Sequence, residues 1–311
     1  MRKLPALVAL AAATTLALTA CTDASQTSGD DADSGSSTSE STDETATFDL
    51  SSIEKDDDVA AMVPADIADA GTLTAGVDTT YAPAEFIDTD GSTPVGYDID
   101  VLTAIAAVMG LEAEPQTAEF PAIIPALGSK YDVGISSFTI TAERLESANM
   151  VSYFSAGEAF AVPAGNPEGL SSDDICGTTV TVQNGTIQND EIDVISQECE
   201  TDGKEPIEVL RYDSQADATT NVVGGKADVM YADSPIVQYA VTQTDGGIEQ
   251  LGETFASAPQ GVVVAKDDTE LADAVQAALQ VLMDDGDLEA ILDVWGAGDG
   301  ALSTSEVNPA S

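Results

Sequence analysis

Between residues 73 and 295 the chain alternates short apolar runs with longer stretches in which apolar residues return every three or four positions. The first pattern predicts buried strands and the second amphipathic helices. Residues 73–77 read as a strand, and Asp88-Thr89-Asp90-Gly91 as a hairpin turn. Gly96-Tyr97-Asp98-Ile99-Asp100 leads into a helix that aligns Val101, Leu102, Ile105, Ala106 and Met109 and stops at Gly110. A short apolar helix over residues 120–127 precedes a strand that begins at Tyr131-Asp132-Val133-Gly134. That strand runs out through hydroxyl residues to Thr141, the N-cap of another helix. Further on, residues 159–163 are extended, residues 178–182 form a strand, and Thr186 caps a helix reaching about Glu198. Residues 225–235 repeat strand, turn and helix start, with Ser234 and Pro235 as N-cap and first helical residue. Residues 255–258 and 261–265 are extended, residues 271–282 and 287–295 are amphipathic helices, and the tail is expected to fray from Gly298. Strands alternating with helices predict an α/β fold on a mainly parallel sheet.

The N-terminal part follows a different rule. Arg2 and Lys3 precede an apolar stretch, residues 4–18, that is too short to span a bilayer comfortably, so residues 1–20 read as an export signal. It ends Leu18-Thr19-Ala20-Cys21, which resembles a bacterial lipobox and marks Cys21 for lipidation; the alternative is an ordinary signal with a chance cysteine. Residues 21–58 are Ser, Thr, Asp, Glu and Gly with almost no large apolar side chain. They cannot bury enough surface to offset their ordering entropy and read as a disordered stalk, roughly 35 Å long as a flexible coil. What remains is long enough for two domains.

Charge narrows the function. The chain carries a net charge of -47, with nine basic residues and no histidine. No basic surface is available to neutralise phosphates, which excludes a nucleic-acid partner. Histidine catalysis and histidine metal ligands are ruled out, and neither a metal nor a cofactor is expected. Cys176 and Cys199 are an even pair in an exported chain, which favours a disulfide.

One cation is out of place. Arg144 falls in the first turn of the helix capped by Thr141, where a positive charge is disfavoured by roughly 0.3–1 kcal/mol. A carboxylate held bidentately by the guanidinium would explain it; the alternative is a surface arginine paired with Glu143 or Glu146. Asp98 and Asp100 look like a carboxylate pair, but capping and the helix dipole account for both at a helix start.

Four segments together carry a family resemblance. They are Gly76-Val77-Asp78-x-x-Tyr81-x-Pro83-x-Glu85-Phe86, Gly96-Tyr97-Asp98-Ile99-Asp100, the run from Phe120 to Leu127, and Ile135-Ser136-Ser137-Phe138-Thr139-Ile140-Thr141-x-Glu143-Arg144. In this order and spacing they resemble the polar amino-acid-binding (family 3) solute receptors of ATP-binding-cassette importers, over about residues 63–295. The resemblance implies a two-lobed periplasmic-binding-protein-like fold of type II, closing as a monomer over a free amino acid. Lobe 1 would be residues 59–160 and 257–300, lobe 2 residues 161–256, and residues 301–311 a tail. Residues 159–163 and 255–258 resemble the two hinge strands, and Trp295 the family's C-terminal core tryptophan. The resemblance further implies Arg144 and Thr139 on the ligand's α-carboxylate, with Ser137 offering its backbone. Tyr81 and Phe120 become aromatic walls, and Asp78 faces the ligand side chain. From lobe 2, Thr186 and the Ile187 backbone meet the α-carboxylate, Asp233 takes the α-ammonium, and Gln183 stands where several relatives carry lysine. Arg144 and Asp233 then form a clamp with one charge from each lobe, so that binding favours closure. The strand after Cys176 would run up to the cleft and the helix from Thr186 back down, leaving Cys199 beside Cys176; that bond stabilises by about 3 kcal/mol.

The expected function is an extracellular, lipid-anchored receptor that delivers an amino acid to a membrane permease, and not an enzyme. The alternatives on the same fold are a small-acid dehydratase, with Asp78 or Glu85 as acid or base, and a sensory receptor. An acidic ligand needs a second cation in the cleft. Lys130, Lys204, Lys226 and Lys266 fall in loops expected to face away, and only Arg211 could reach inward. Asp78 and Tyr81 suit an amide or a cation. The expected ligand is therefore an amide or basic amino acid, with glutamine slightly ahead of arginine and lysine.

Overall fold

The computed structural model describes residues 48–310; the export signal, Cys21 and most of the stalk lie outside the described residues. Two short helices, α1 (Asp57–Ala60) and α2 (Ala65–Ala70), lead into β1 (Thr72–Val77). A small antiparallel ribbon follows, β2 (Thr80–Tyr81), β3 (Glu85–Ile87) and β4 (Pro94–Val95). Then come α3 (Tyr97–Met109), β5 (Glu112–Thr117), α4 (Phe120–Ile123), β6 (Val133–Thr139) and α5 (Ala142–Ser147). The long strand β7 (Ala148–Pro163) crosses into a second set: β8 (Thr179–Gln183), α6 (Ile187–Thr201), β9 (Glu208–Tyr212), α7 (Gln215–Val223), β10 (Val229–Asp233) and α8 (Ser234–Gln243). The equally long β11 (Ile248–Ala265) returns to the first set, where α9 (Thr269–Asp285) and α10 (Asp287–Val294) cover it.

The eight main strands lie in the order β5-β1-β6-β11-β7-β10-β8-β9. β5, β1 and β6 are mutually parallel, as are β10, β8 and β9. Every residue of β6 and β10 is buried, which is why neither alternates apolar with exposed polar positions; the one charged residue of the two, Asp233, stands at the cleft end of β10. The result is the expected two-lobed α/β fold, with β7 and β11 shared between the lobes.

Those two strands correct the sequence reading. Residues 159–163 and 255–258 looked like short hinge pieces, with 261–265 a separate strand. Instead each is part of one strand, and the pair runs antiparallel from Ile248 opposite Pro163 to Ala265 opposite Ala148. Register shifts fall between Leu251 and Phe255, Phe255 and Ala258, and Gln260 and Gly261. Such irregularities bend and twist a ladder locally without ending it, so each strand stays continuous from one set of elements to the other.

Both ends of the described chain also differ from expectation. Phe48, Leu50 and Ile53, placed in the stalk by composition, pack against the lobe 1 core. Asp56 donates its N–H to Val108 O and caps α1 through its carboxylate. Three apolar residues set no periodicity, so their docking was invisible in sequence. At the other end the tail is not frayed. Leu302 N–H donates to Tyr153 O, Ser152 N–H to Glu306 O and Asn308 N–H to Met150 O. The first half of β7 pairs with β11 on one side only, and the tail covers its other edge. Trp295 is half-buried; its Nε1–H donates to Asp100 Oδ2 at 2.8 Å.

The disulfide forms as read, between Cys176 and Cys199 with Cα atoms 5.6 Å apart.

Candidate functional site

The C-terminal ends of β1, β6, β8 and β10 converge between the lobes, the place where open α/β sheets take ligands. From lobe 1, Tyr81, Phe120, Ser136, Ser137, Thr139 and Arg144 line one cavity there. From lobe 2, Gln183, Thr186, Ile187, Gln188 and Asp233 face them. The space left between these side chains is small, about 250 Å³ with open solvent included, so the two walls lie close together.

Arg144 sits where the Thr141 cap sets it: Thr141 Oγ1 accepts the Arg144 N–H at 3.1 Å. Its guanidinium turns inward, donating from Nη1 to Thr139 O at 2.8 Å and from Nη2 to Gly185 O at 3.1 Å. The second bond crosses between lobes. It needs the close approach of Gly185, whose φ is +77° and where a Cβ would stand 3.0 Å from Pro121. The guanidinium also lies 5.3 Å from the Phe120 ring centroid and 5.7 Å from that of Phe138, rings that stack at 4.6 Å. No carboxylate pairs with it within 4.0 Å; the ion pairs among the described residues are Lys55–Asp57, Lys204–Asp174 and Arg211–Asp193. The surface-pairing alternative therefore fails. Burial pushes the Arg144 pKa down, opposed by the charge of Asp233.

Asp233 ends β10 without capping α8. Gln188 Nε2 donates to its Oδ1 at 2.8 Å and Gln260 Nε2 to its Oδ2 at 2.9 Å, while its own N–H reaches the Tyr81 hydroxyl, across the lobes, at 3.5 Å. Burial raises its pKa, and the bonds from Tyr81, Gln188 and Gln260 and the charge of Arg144 hold that rise back. Gln188, Gln260 and Ser136 were not singled out in sequence. Gln188 follows a predicted cap and Gln260 an expected hinge strand, so only their partners reveal them.

Asp78 does not itself line the cavity. Its Oδ1 accepts from the Thr80 N–H at 3.1 Å and hydroxyl at 2.8 Å. Its Oδ2 accepts from Phe120 N–H at 3.3 Å and, across the lobes, from Gln183 Nε2 at 2.6 Å. Burial raises its pKa, partly offset by these donors. Gln183 thus stands between Asp78 and the cavity.

Three sequence readings change here. The Ser137 N–H is not free for a ligand carboxylate, because it donates to Asp98 Oδ2 at 2.7 Å. Ser137 has φ +49°, a conformation that costs a non-glycine residue about 1–3 kcal/mol and persists only where its surroundings impose it. Asp98 does not cap α3; Gly96 occupies that position without a side-chain cap, and Asp98 is fully buried beneath the cleft. Arg211 turns outward, donating to Asn189 Oδ1 at 2.8 Å and Asp193 at 2.7 Å, and supplies no cation to the cavity. Thr186 does cap α6, accepting the Asn189 N–H at 3.2 Å.

Comparisons with known proteins bear on the family and the fold. The family model described as "Bacterial extracellular solute-binding proteins, family 3" matches residues 73–298. "Arginine-binding protein ArgT" of Corynebacterium glutamicum is 36% identical over 253 residues, 81% of this chain and 83% of that protein. Among solved structures, an ancestral arginine-binding protein bound to arginine matches at 32% identity and TM-score 0.67, over 72% of this chain and 98% of that one. An ancestral amino acid-binding protein described as a precursor of cyclohexadienyl dehydratase matches at 28% identity and TM-score 0.67, over 74% and 97%. With two α/β lobes, a cavity between their strand ends and a match over most of its length, the chain belongs to the family 3 extracellular solute-binding proteins, the amino-acid-binding components of ATP-binding-cassette transporters.

Proposed function

We propose that this protein captures a free basic amino acid, arginine foremost, and presents it to a membrane permease from the outer face of the cell membrane, held there by a lipid on Cys21. Arg144, with Thr139, Thr186 and the Ile187 amide, receives the α-carboxylate. Asp233 receives the α-ammonium. Tyr81 and Phe120 flank the side chain, and its far end displaces or joins the Gln183 amide at Asp78. The protein acts as a binder and returns its ligand unchanged.

The observation that carries the choice of side chain is the charge around the cavity. Arg144 and Asp233 balance the two charges of an α-amino acid, one each. Asp78 remains, buried, with four donors but no cation bonded to it among the described residues. A guanidinium or ammonium on the ligand compensates it, a glutamine amide only hydrogen-bonds it, and a glutamate carboxylate adds a second negative charge. This reverses the sequence-based order, which put glutamine first. Among similar proteins ArgT is called arginine-binding, which supports this order, while others are named for cystine and glutamine.

Calorimetric titration with arginine, lysine, glutamine, histidine, glutamate and aspartate tests the ligand. Arginine should bind most tightly and come back chemically intact; tightest binding of glutamine or of an acidic amino acid refutes the charge argument. Separately, Cys21→Ala should release the protein from the membrane or leave it unprocessed, and unchanged retention refutes the anchor.

A further inference from the structure

Behind the lobe 1 wall of the cleft, Glu85 on β3 and Asp98 on α3 bury two carboxyl groups side by side, both with no exposed surface. Counting donors assigns their charge. Asp98 Oδ2 accepts the Ser137 N–H at 2.7 Å and lies 3.1 Å from the Ser137 hydroxyl, while Oδ1 accepts from the Tyr153 hydroxyl. A backbone N–H can only donate, so Oδ2 is an acceptor, and Oδ1 already takes the Tyr153 hydroxyl proton, which leaves the unsatisfied Glu85 Oε2 as the oxygen with room for a proton. Glu85 Oε1 accepts from the Ser136 hydroxyl. Glu85 Oε2 is buried with no N–H or O–H donor in reach, and the Asp98 N–H donates to the carbonyl of Ala84, the residue before Glu85, at 2.9 Å, which holds the two carboxyls as neighbours. Two ionised carboxylates there would leave an oxygen unsatisfied and like charges in contact. A single proton on Glu85 Oε2, donated to Asp98, removes both costs.

We propose that Glu85 and Asp98 share one proton, carried by Glu85, and that this dyad is a positioning element for the ligand cleft. Asp98 holds Ser137 in its left-handed conformation. Glu85 holds Ser136, whose hydroxyl accepts the Asp78 N–H at 3.2 Å. Both serines line the cavity and neither carboxyl does, so the pair acts only through them. The inference rests on the reading of this cavity as the amino-acid site. The titratable groups that face the pair are Asp78 at the end of β1, Tyr97 on α3 and Tyr153 on β7. No lysine or arginine bonds to either carboxyl among the described residues. Burial, and then the charge of Asp98, push the Glu85 pKa well above the usual carboxylate range. The sign follows: the cleft is intact while the proton is held, and affinity falls as pH rises through that raised value.

The variants distinguish positioning from bulk stability. Glu85→Gln keeps a donor toward Asp98 and cannot ionise, so affinity for arginine should stay within about threefold of wild type and lose its alkaline fall. Asp98→Asn can keep its carbonyl toward the Ser137 N–H only by turning its amide hydrogens on the Tyr153 hydroxyl and the Glu85 proton, and affinity should drop about tenfold or more. Equal losses in both variants, or an undiminished alkaline fall in Glu85→Gln, overturn the proposal. Should Asp98→Asn fail to fold, carbon-13 NMR of the wild-type glutamate side chains decides without it. Glu85 should show a carboxyl that stays protonated at neutral pH, and titration in the ordinary range overturns the shared proton. Wild-type protein that binds no amino acid would sink the ligand reading alone, because the NMR titration needs no ligand.

Discussion

Asp78→Asn is the sharpest test of what the cleft recognises. The substitution preserves shape and one carbonyl oxygen, so Thr80 keeps its acceptor. It removes the charge, and its amide hydrogens face the Phe120 N–H and the Gln183 amide, which now donate to Oδ2 at 3.3 and 2.6 Å. Asp78 is 2% exposed, so solvent does little to replace the lost charge. Removing one partner of a buried, hydrogen-bonded charge pair costs about 2–5 kcal/mol. At the lower figure arginine binding weakens about thirtyfold. Glutamine never had the ion pair and loses only a hydrogen bond to a charged group, about 1.5–3 kcal/mol at most and less if the substituted amide re-forms it. The ratio of arginine to glutamine affinity should therefore fall, and that ratio is the quantity to measure, by parallel calorimetric titrations of wild type and variant. A variant that loses both ligands equally, or neither, would show that Asp78 supports the wall of the site without reading the side chain.

Arg144→Lys keeps the charge but gives up the planar fork and the contact with Phe120 and Phe138; affinity for any amino acid should drop about thirtyfold while the urea midpoint stays near wild type. Near-native affinity would place the α-carboxylate elsewhere. Glu158, on β7 where it enters lobe 2, hydrogen-bonds Tyr231, which also bonds Glu191, and burial with the neighbouring Glu191 raises its pKa from 4.5 to about 9. A carboxyl raised in the folded state contributes stability that is complete at acid pH, falls between those two values and is gone above about 9. Urea unfolding across that range should show the decline in wild type and a shallower one in Glu158→Gln; identical slopes would refute it. Deleting residues 302–311 strips the bonds to Met150, Ser152 and Tyr153 from the β7 edge, and the loss of these backbone bonds, about 0.5–1.5 kcal/mol each, should lower the urea midpoint. An unchanged midpoint would mean the tail contributes nothing.

The elements were legible in sequence because their causes are local. Thr141 and Thr186 cap helices through side chains that reach three residues ahead, Gly110 stops α3 with φ +75°, and the apolar face of α3 repeats within one helix. Arg144 stood out because the helix dipole penalises a cation in a first turn, a cost written in adjacent residues. The two cysteines needed only count and compartment. Other features depend on residues far apart in the chain. Asp98 looks like a cap from its neighbours, yet its carboxyl meets Ser137, 39 positions on, and Tyr153, 55 positions on. Gln260 reaches Asp233 across 27 residues. The tail finds Ser152 at a separation of 154. Propensity, capping and periodicity act over a few residues, so the chain by itself determined its helix caps and most of its short strands and helices, but not the length of β7 and β11. Which buried group faces which follows from strand order and lobe closure, so the tertiary structure alone decided where Asp98 points, what covers β7 and which charge the cleft leaves unpaired.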